Sequence, residues 1–201
     1  MLEAADLECA RGGRILFRGL SFALKPGELL RIAGANGRGK TSLLRILCGL
    51  LSPSAGEVRW KSEPIRGMRE EYSRQLVYLG HAPAVKDELT AAENLSIACR
   101  LAGQTRSQGE VSAALRTLDV PETVLVKTLS QGQRRRAALA RLVLSEAVPV
   151  WLLDEPFAAL DAQAAELVER LIGEHIRAGG VVVYTTHQEA RLAGRVLSLD
   201  G

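Results

Sequence analysis

Gly34-Ala35-Asn36-Gly37-Arg38-Gly39-Lys40-Thr41 is the stretch on which the fold turns. It fits the pattern G-x-x-x-x-G-K-[ST] at every specified position. The glycines let successive backbone N–H groups turn inward as an anion nest. A helix opening near Gly39 adds its positive end to the same place. Lys40 supplies a point charge for β- and γ-phosphates, and Thr41 offers a hydroxyl to a magnesium ion. Ser42 follows in the same turn. This arrangement requires a strand before the glycines and a helix after them. Both are legible: Leu29-Leu30-Arg31-Ile32-Ala33 is a run of strand length, and from Lys40 to Leu50 the pattern turns helical, with Leu43, Leu44, Leu47 and Leu51 at the 3–4 spacing of one helix face.

Outward from this loop the chain alternates strands and helices. Two strands over 4–9 and 15–24 turn at Gly12-Gly13, and Pro26-Gly27 leads into the strand before the loop. Short strands follow at 58–60 and 76–79. Thr90-x-x-Glu93 and Ser107-x-x-Glu110 are capping-box patterns, so the stretch 82–146 reads as mostly helical. Apolar strands return at 148–153, 181–184 and 195–199, with a helix between Asp161 and about Ala178. Fully apolar strands alternating with helices predict a mainly parallel sheet covered on both faces, interrupted by a helical insertion.

A buried strand ends in Asp154-Glu155-Pro156. At the carboxyl end of a parallel strand, Asp154 faces the same crevice as the phosphates. Asp154 and Thr41 are therefore the candidate magnesium ligands. Glu155 is the candidate general base for an attacking water.

Leu129-Ser130-Gln131-Gly132-Gln133 resembles the LSGGQ signature of ATP-binding cassette (ABC) proteins, with Gln131 in place of the first glycine. Phe157-Ala158-Ala159-Leu160-Asp161 resembles that family's D-loop, and Thr185-Thr186-His187 its switch histidine. From the residues alone, Ser130-x-x-Gln133 is a capping box at a helix start. The resemblance covers essentially the whole chain. It implies an α/β fold of the P-loop NTPase (RecA-like) type. The expected form is an ABC nucleotide-binding domain with a small N-terminal antiparallel β part and an inserted helical lobe. Residues 1–81 and 147–201 would form the nucleotide-binding core, and 82–146 the helical subdomain. The implied activity is ATP hydrolysis with Mg²⁺, using Glu155, His187 and Lys40. Gly34 through Ser42 would bind the phosphates. Ser130, Gly132, Gln133 and Asp161 would close over ATP held by a second copy, in a head-to-tail dimer.

Two positions depart from the pattern. His81 stands where the family carries a glutamine, and a neutral imidazole has one donor, one acceptor and no amide oxygen. The expectation is a weaker metal contact and turnover that depends on a membrane partner. Arg11, before Gly12-Gly13, stands where an aromatic often stacks on adenine; a guanidinium also lies on a purine face.

The stretch Tyr78-Leu79-Gly80-His81-Ala82-Pro83 with Leu89-Thr90-x-x-Glu93-Asn94-Leu95 is similar to the cytochrome c biogenesis branch of ABC ATPases. That likeness implies an integral membrane subunit, CcmB, with CcmC, and release of the haem-loaded chaperone CcmE. It places the chain at the cytoplasmic face of a bacterial inner membrane. A groove around residues 82–90 would receive the membrane subunit. The alternatives are an ATPase subunit of another ABC importer or exporter, and a soluble ABC protein acting on ribosomes or nucleic acid.

Composition narrows these options. Of 201 residues 47% are hydrophobic, which excludes disorder, and a net charge of +3 is too mild to imply nucleic acid. Aromatics at 4% argue against a stacking platform for single strands. No apolar run reaches membrane-spanning length, and the acidic N-terminus is no secretory signal. Cys9, Cys48 and Cys99 read as small apolar residues. The three histidines include no Cys-x-x-Cys-His, so direct haem binding is not expected. His175 reads as an inert residue on an exposed helix. Arg134-Arg135-Arg136 point in different directions on a helix and so form no single patch.

Overall fold

The computed structural model describes residues 1–187 and 192–200. Four strands form an antiparallel sheet: β1 (Leu2–Arg11), β2 (Arg14–Leu24), β4 (Ala55–Trp60) and β5 (Glu63–Pro64), in the order β2-β1-β4-β5. A second sheet is wholly parallel. It holds β3 (Leu29–Ala33), β6 (Leu76–Leu79), β7 (Val150–Asp154), β8 (Val181–Thr185) and β9 (Arg195–Ser198), in the order β6-β7-β8-β3-β9. The helices are α1 (Lys40–Leu47), α2 (Arg69–Ser73), α3 (Ala91–Leu101), α4 (Gln108–Thr117), α5 (Gln131–Val143) and α6 (Ala162–Arg177).

The parallel sheet separates two cores, and strand alternation assigns each side chain to one of them. Val150, Leu152, Val181 and Val183 pack with α1 and the antiparallel sheet. Trp151, Leu153, Val182 and Tyr184 pack with α3 through α6. Strands buried on both faces explain the unbroken apolar runs. Cys9 and Cys99 are buried, one in each core. Among the described residues no helix is long and apolar enough to cross a membrane.

Several boundaries differ from the sequence reading. Helix α1 stops at Leu47 because Gly49 takes φ +75°, so residues 48–50 turn away. Residues 82–90 carry no helix, and β5 and α2 are too short for a periodic pattern to reveal. His175 requires a correction. It is 5% exposed, and its ring stacks on Trp151 with centroids 3.9 Å apart at 4°. A turn of amphipathic helix hid this contact, because only the fold shows that position 175 faces the sheet. Burial pushes its pKa down to about 4.

Candidate active site

The carboxyl ends of β3, β7 and β8 meet at one edge, where Ile32 and Asp154 both pair with Thr185. The glycine loop leaves β3 there. Gly39 takes φ +99°, and a Cβ on it would lie 3.1 Å from Leu16 and 3.2 Å from Phe17. Both conformation and space thus demand glycine. Helix α1 has no side-chain cap. Helices α3 to α6 are capped by Thr90, Ser107, Ser130 and Asp161. The first amides of α1 are therefore free of a side-chain acceptor and suited to an anion.

A cavity of about 460 Å³ opens over this helix end. Its wall includes Asn36, Gly37, Gly39, Lys40, Thr41 and Ser42 from the loop, with Arg11, His81, Asp154, Glu155 and His187 around them. Leu16 also lines it, a residue the sequence did not single out. Lys40 is buried, and its Nζ donates to the Gly34 and Ala35 carbonyls at 2.6 and 3.2 Å.

The carboxylates differ in their bonding. Asp154 is 2% exposed; its Oδ2 accepts from Thr41 Oγ1 at 2.8 Å and its Oδ1 from Thr185 Oγ1 at 2.7 Å. Thr185 Oγ1 in turn accepts the Glu155 N–H at 2.9 Å. Glu155 has φ +52°, a left-handed backbone that costs a non-glycine residue about 1 kcal/mol or more. Its Oε2 accepts the His187 N–H at 3.2 Å. Its Oε1 is buried and accepts no hydrogen bond, with His187 Nε2 standing 3.2 Å away. The His187 side chain is half exposed toward the cavity mouth.

Ser130, Gly132, Gln133 and Asp161 are not among the residues lining this cavity. Ser130 Oγ accepts from the Gln133 N–H at 3.2 Å, Gln133 Oε1 accepts from the Ser130 N–H at 2.9 Å, and Asp161 caps α6. A Cβ on Gly132 would lie 3.0 Å from the Ala159 carbonyl, so the helix end abuts the segment before Asp161.

Sequence reasoning missed three contributors. Thr185 bridges both carboxylate residues. Asp200 accepts from the Ala35 N–H at 3.0 Å and pairs with Arg38 at 3.3 Å, tying the loop to the residues that follow β9. Arg135 sends its guanidinium inward to four backbone carbonyls. Its neighbours do diverge as expected: Arg134 bonds Asp87 at 2.7 Å and Arg136 bonds Asp119 at 3.0 Å.

Comparison with known proteins agrees with this fold. The family described as ABC transporter matches residues 17–158. The cytochrome c biogenesis ATP-binding export protein CcmA of Aromatoleum aromaticum is 55% identical over 100% of this chain and 94% of its own length. That of Dechloromonas aromatica is 50% identical over 99% and 98%. A dimeric ATP-binding cassette solved after hydrolysis, with ADP and phosphate, superposes with TM-score 0.86 at 23% identity, covering 98% of this chain and 94% of that one. The last likeness concerns the fold alone. A glycine loop that matches the motif, a paired acidic strand end and full-length identity to the export proteins lead to one conclusion: the chain belongs to the ABC transporter family, among the CcmA-type ATP-binding subunits.

Proposed function

We propose that this chain is the ATP-hydrolysing subunit of the cytochrome c biogenesis export system, working through a site completed by a second copy of itself. The observation that carries the reading is Glu155 Oε1, a buried carboxylate oxygen with no hydrogen bond, at the wall of a cavity that also holds Lys40 and Thr41.

Lys40 and the amides of α1 hold the β- and γ-phosphates. Lys40 exchanges the Gly34 and Ala35 carbonyls for phosphate oxygens. Thr41 and Asp154 present hard oxygen atoms 2.8 Å apart, a donor set that suits Mg²⁺. When bound, the ion supplies charge neutralisation on the phosphate oxygens. Glu155 takes a proton from the attacking water. The water oxygen bonds to the γ-phosphorus, the bond to the bridging oxygen breaks, and ADP leaves with that electron pair. His187 orients the water beside Glu155. Arg11 lies on the adenine, and His81 stands near the γ-phosphate in place of an amide.

Ser130, Gly132, Gln133 and Asp161 serve the neighbouring copy. The capped start of α5 aims donors at that copy's γ-phosphate in a head-to-tail dimer. Their place outside this chain's own cavity supports the reading. Residues 1–81 and 147–201 act as the nucleotide-binding unit and 82–146 as the unit that meets the membrane partner. A groove of about 290 Å³ supports this assignment. It is lined by Pro83, Val85, Leu95, Ala98 and Ala138, with Leu101 85% exposed at its rim. The occupant is a cytoplasmic helix of CcmB, in a complex with CcmC at the inner membrane. Haem belongs to the complex and is not bound by this subunit.

Glu155→Gln tests the mechanism. It is expected to retain ATP, to sediment as a dimer with ATP, and to lose ~10²–10⁴ in turnover. Wild-type turnover would remove Glu155 from the role of base, and a monomer under saturating ATP would remove the composite site. Affinity capture from solubilised membranes identifies the integral partner.

A further inference from the structure

Arg135 is 3% exposed, yet among the described residues it forms no ion pair with a carboxylate. A buried guanidinium remains charged and needs compensation. Four backbone carbonyls supply it together with the nearby Asp154 and Glu155 charges, while Nε has no hydrogen-bond partner. One terminal nitrogen donates to the Gly80 and His81 oxygens at 2.9 and 3.1 Å. The other donates to the Asp154 and Glu155 oxygens at 2.8 and 2.6 Å.

The two carbonyl pairs belong to neighbouring strands just where their pairing stops. Strands β6 and β7 pair in parallel up to Leu79 opposite Leu153. Beyond that rung no further β6–β7 pair forms, and the two chains continue to His81 and to Glu155. The fork of Arg135 spans the gap and acts as one further rung. It also holds the strained Glu155 residue from one side. The Glu155 N–H is held by Thr185, and its carbonyl by Arg135 at 2.6 Å together with the Ala158 N–H at 3.1 Å. With both peptide groups fixed, the left-handed φ of +52° sets where the carboxylate points.

We propose that Arg135 is a positioning residue that couples the 80–81 segment to the carboxylate of Glu155. The inference rests on the reading of Glu155 as the base. It gives the segment that lines the partner groove a direct route to the chemistry: a displacement of the Gly80 and His81 carbonyls moves the guanidinium, and with it the Glu155 peptide. Glutamine at 135 offers one NH₂ group and reaches only one carbonyl pair. Lysine keeps the charge but has no planar fork.

The test uses the full chain with Arg135→Gln and Arg135→Lys, each alone and with Glu155→Gln. Nucleotide affinity is read with a fluorescent ATP analogue, and kcat and KM from steady-state hydrolysis. In Arg135→Gln, kcat is expected to fall about 10- to 100-fold, as for a misplaced catalytic group. Affinity is expected to stay within about threefold of wild type, and Arg135→Lys to fall between. In the Glu155→Gln background, replacing Arg135 is expected to slow the residual rate no further. A folded Arg135→Gln with wild-type kcat overturns the proposal. So does a fall that is equally large without the Glu155 carboxylate. Should Arg135→Gln not fold, Arg135→Lys decides by the same criteria, wild-type kcat overturning the proposal. If Glu155→Gln itself hydrolyses at the wild-type rate, the assignment of the base has failed, a result distinct from a silent Arg135.

Discussion

Thr185→Val replaces one hydroxyl by a methyl at the most constrained point of the site. Thr185 is fully buried at the end of β8. Its Oγ1 donates to Asp154 Oδ1 at 2.7 Å and accepts the Glu155 N–H at 2.9 Å. Valine has nearly the same shape, so no cavity forms. What changes is that a carboxylate oxygen and a backbone N–H lose their partner together. An unsatisfied buried group costs about 1–3 kcal/mol, and more when charged. Two such groups give about 3 kcal/mol. That is a large part of the ~5–15 kcal/mol expected for a domain.

For a domain of this size each kcal/mol moves the melting point by roughly 2–4 °C, so Thr185→Val is expected to melt about 6–12 °C below wild type. Thr185→Ser keeps the hydroxyl and loses only a buried methyl, for about 1 kcal/mol. The assay is thermal unfolding followed by circular dichroism, without nucleotide, beside steady-state hydrolysis. Turnover in the valine variant is expected to fall, because the Glu155 peptide is then held only by its carbonyl. The serine variant is expected to stay close to wild type. A valine variant melting within 2 °C of the serine variant would refute the argument, since the hydroxyl would then carry no weight.

Three further outcomes are open to measurement. His175 has its folded pKa depressed to about 4 by burial, below its unfolded value near 6.5. The unfolded chain therefore takes up the proton first as pH falls. The stability is fully present above about pH 6.5 and is lost toward pH 4. At pH 5 the full shift corresponds to about 2 kcal/mol; partial solvent screening reduces the expectation to about 1 kcal/mol. His175→Phe, which keeps the stack on Trp151, is expected to flatten chemical-denaturation midpoints across that window, and an unchanged slope would count against it. A Cβ on Gly180 would come within 2.1 Å of His175 Nε2, so Gly180→Ala is expected to cost about 1–3 kcal/mol by overpacking, read as a lower denaturation midpoint. Ser130→Ala removes the cap of α5 for about 1 kcal/mol. If Ser130 also serves a neighbouring copy, the dimer formed by Glu155→Gln with ATP is expected to weaken in sedimentation, whereas a cap alone would leave it intact.

The contrast between what the sequence disclosed and what it concealed follows the range of the interactions. The glycine loop, the capping boxes at Thr90, Ser107 and Ser130, and the apolar strands are local: each is written within a few consecutive residues, and the physics that forms them acts over the same span. The convergence of Thr41 with Asp154 was legible because both lie at strand ends of a fold whose topology fixes the crevice. Arg135 and Thr185 were hidden for the opposite reason. Their partners lie 19 and 30 residues away at the nearest carboxylate residue, and the partner atoms of Arg135 are backbone carbonyls, which leave no mark on residue identity. The triplet Arg134-Arg135-Arg136 shows the difference within one turn of helix. Three identical side chains take an exposed ion pair, a buried cradle and another exposed ion pair, and only the path of β6 and β7 decides which is which. The glycine loop of this site is therefore announced by a motif. The groups that hold Glu155 in a strained backbone are announced by nothing until the sheet is assembled, and for that reason mutation of Arg135 and Thr185 tests the proposed mechanism more directly than a further substitution in the glycine loop.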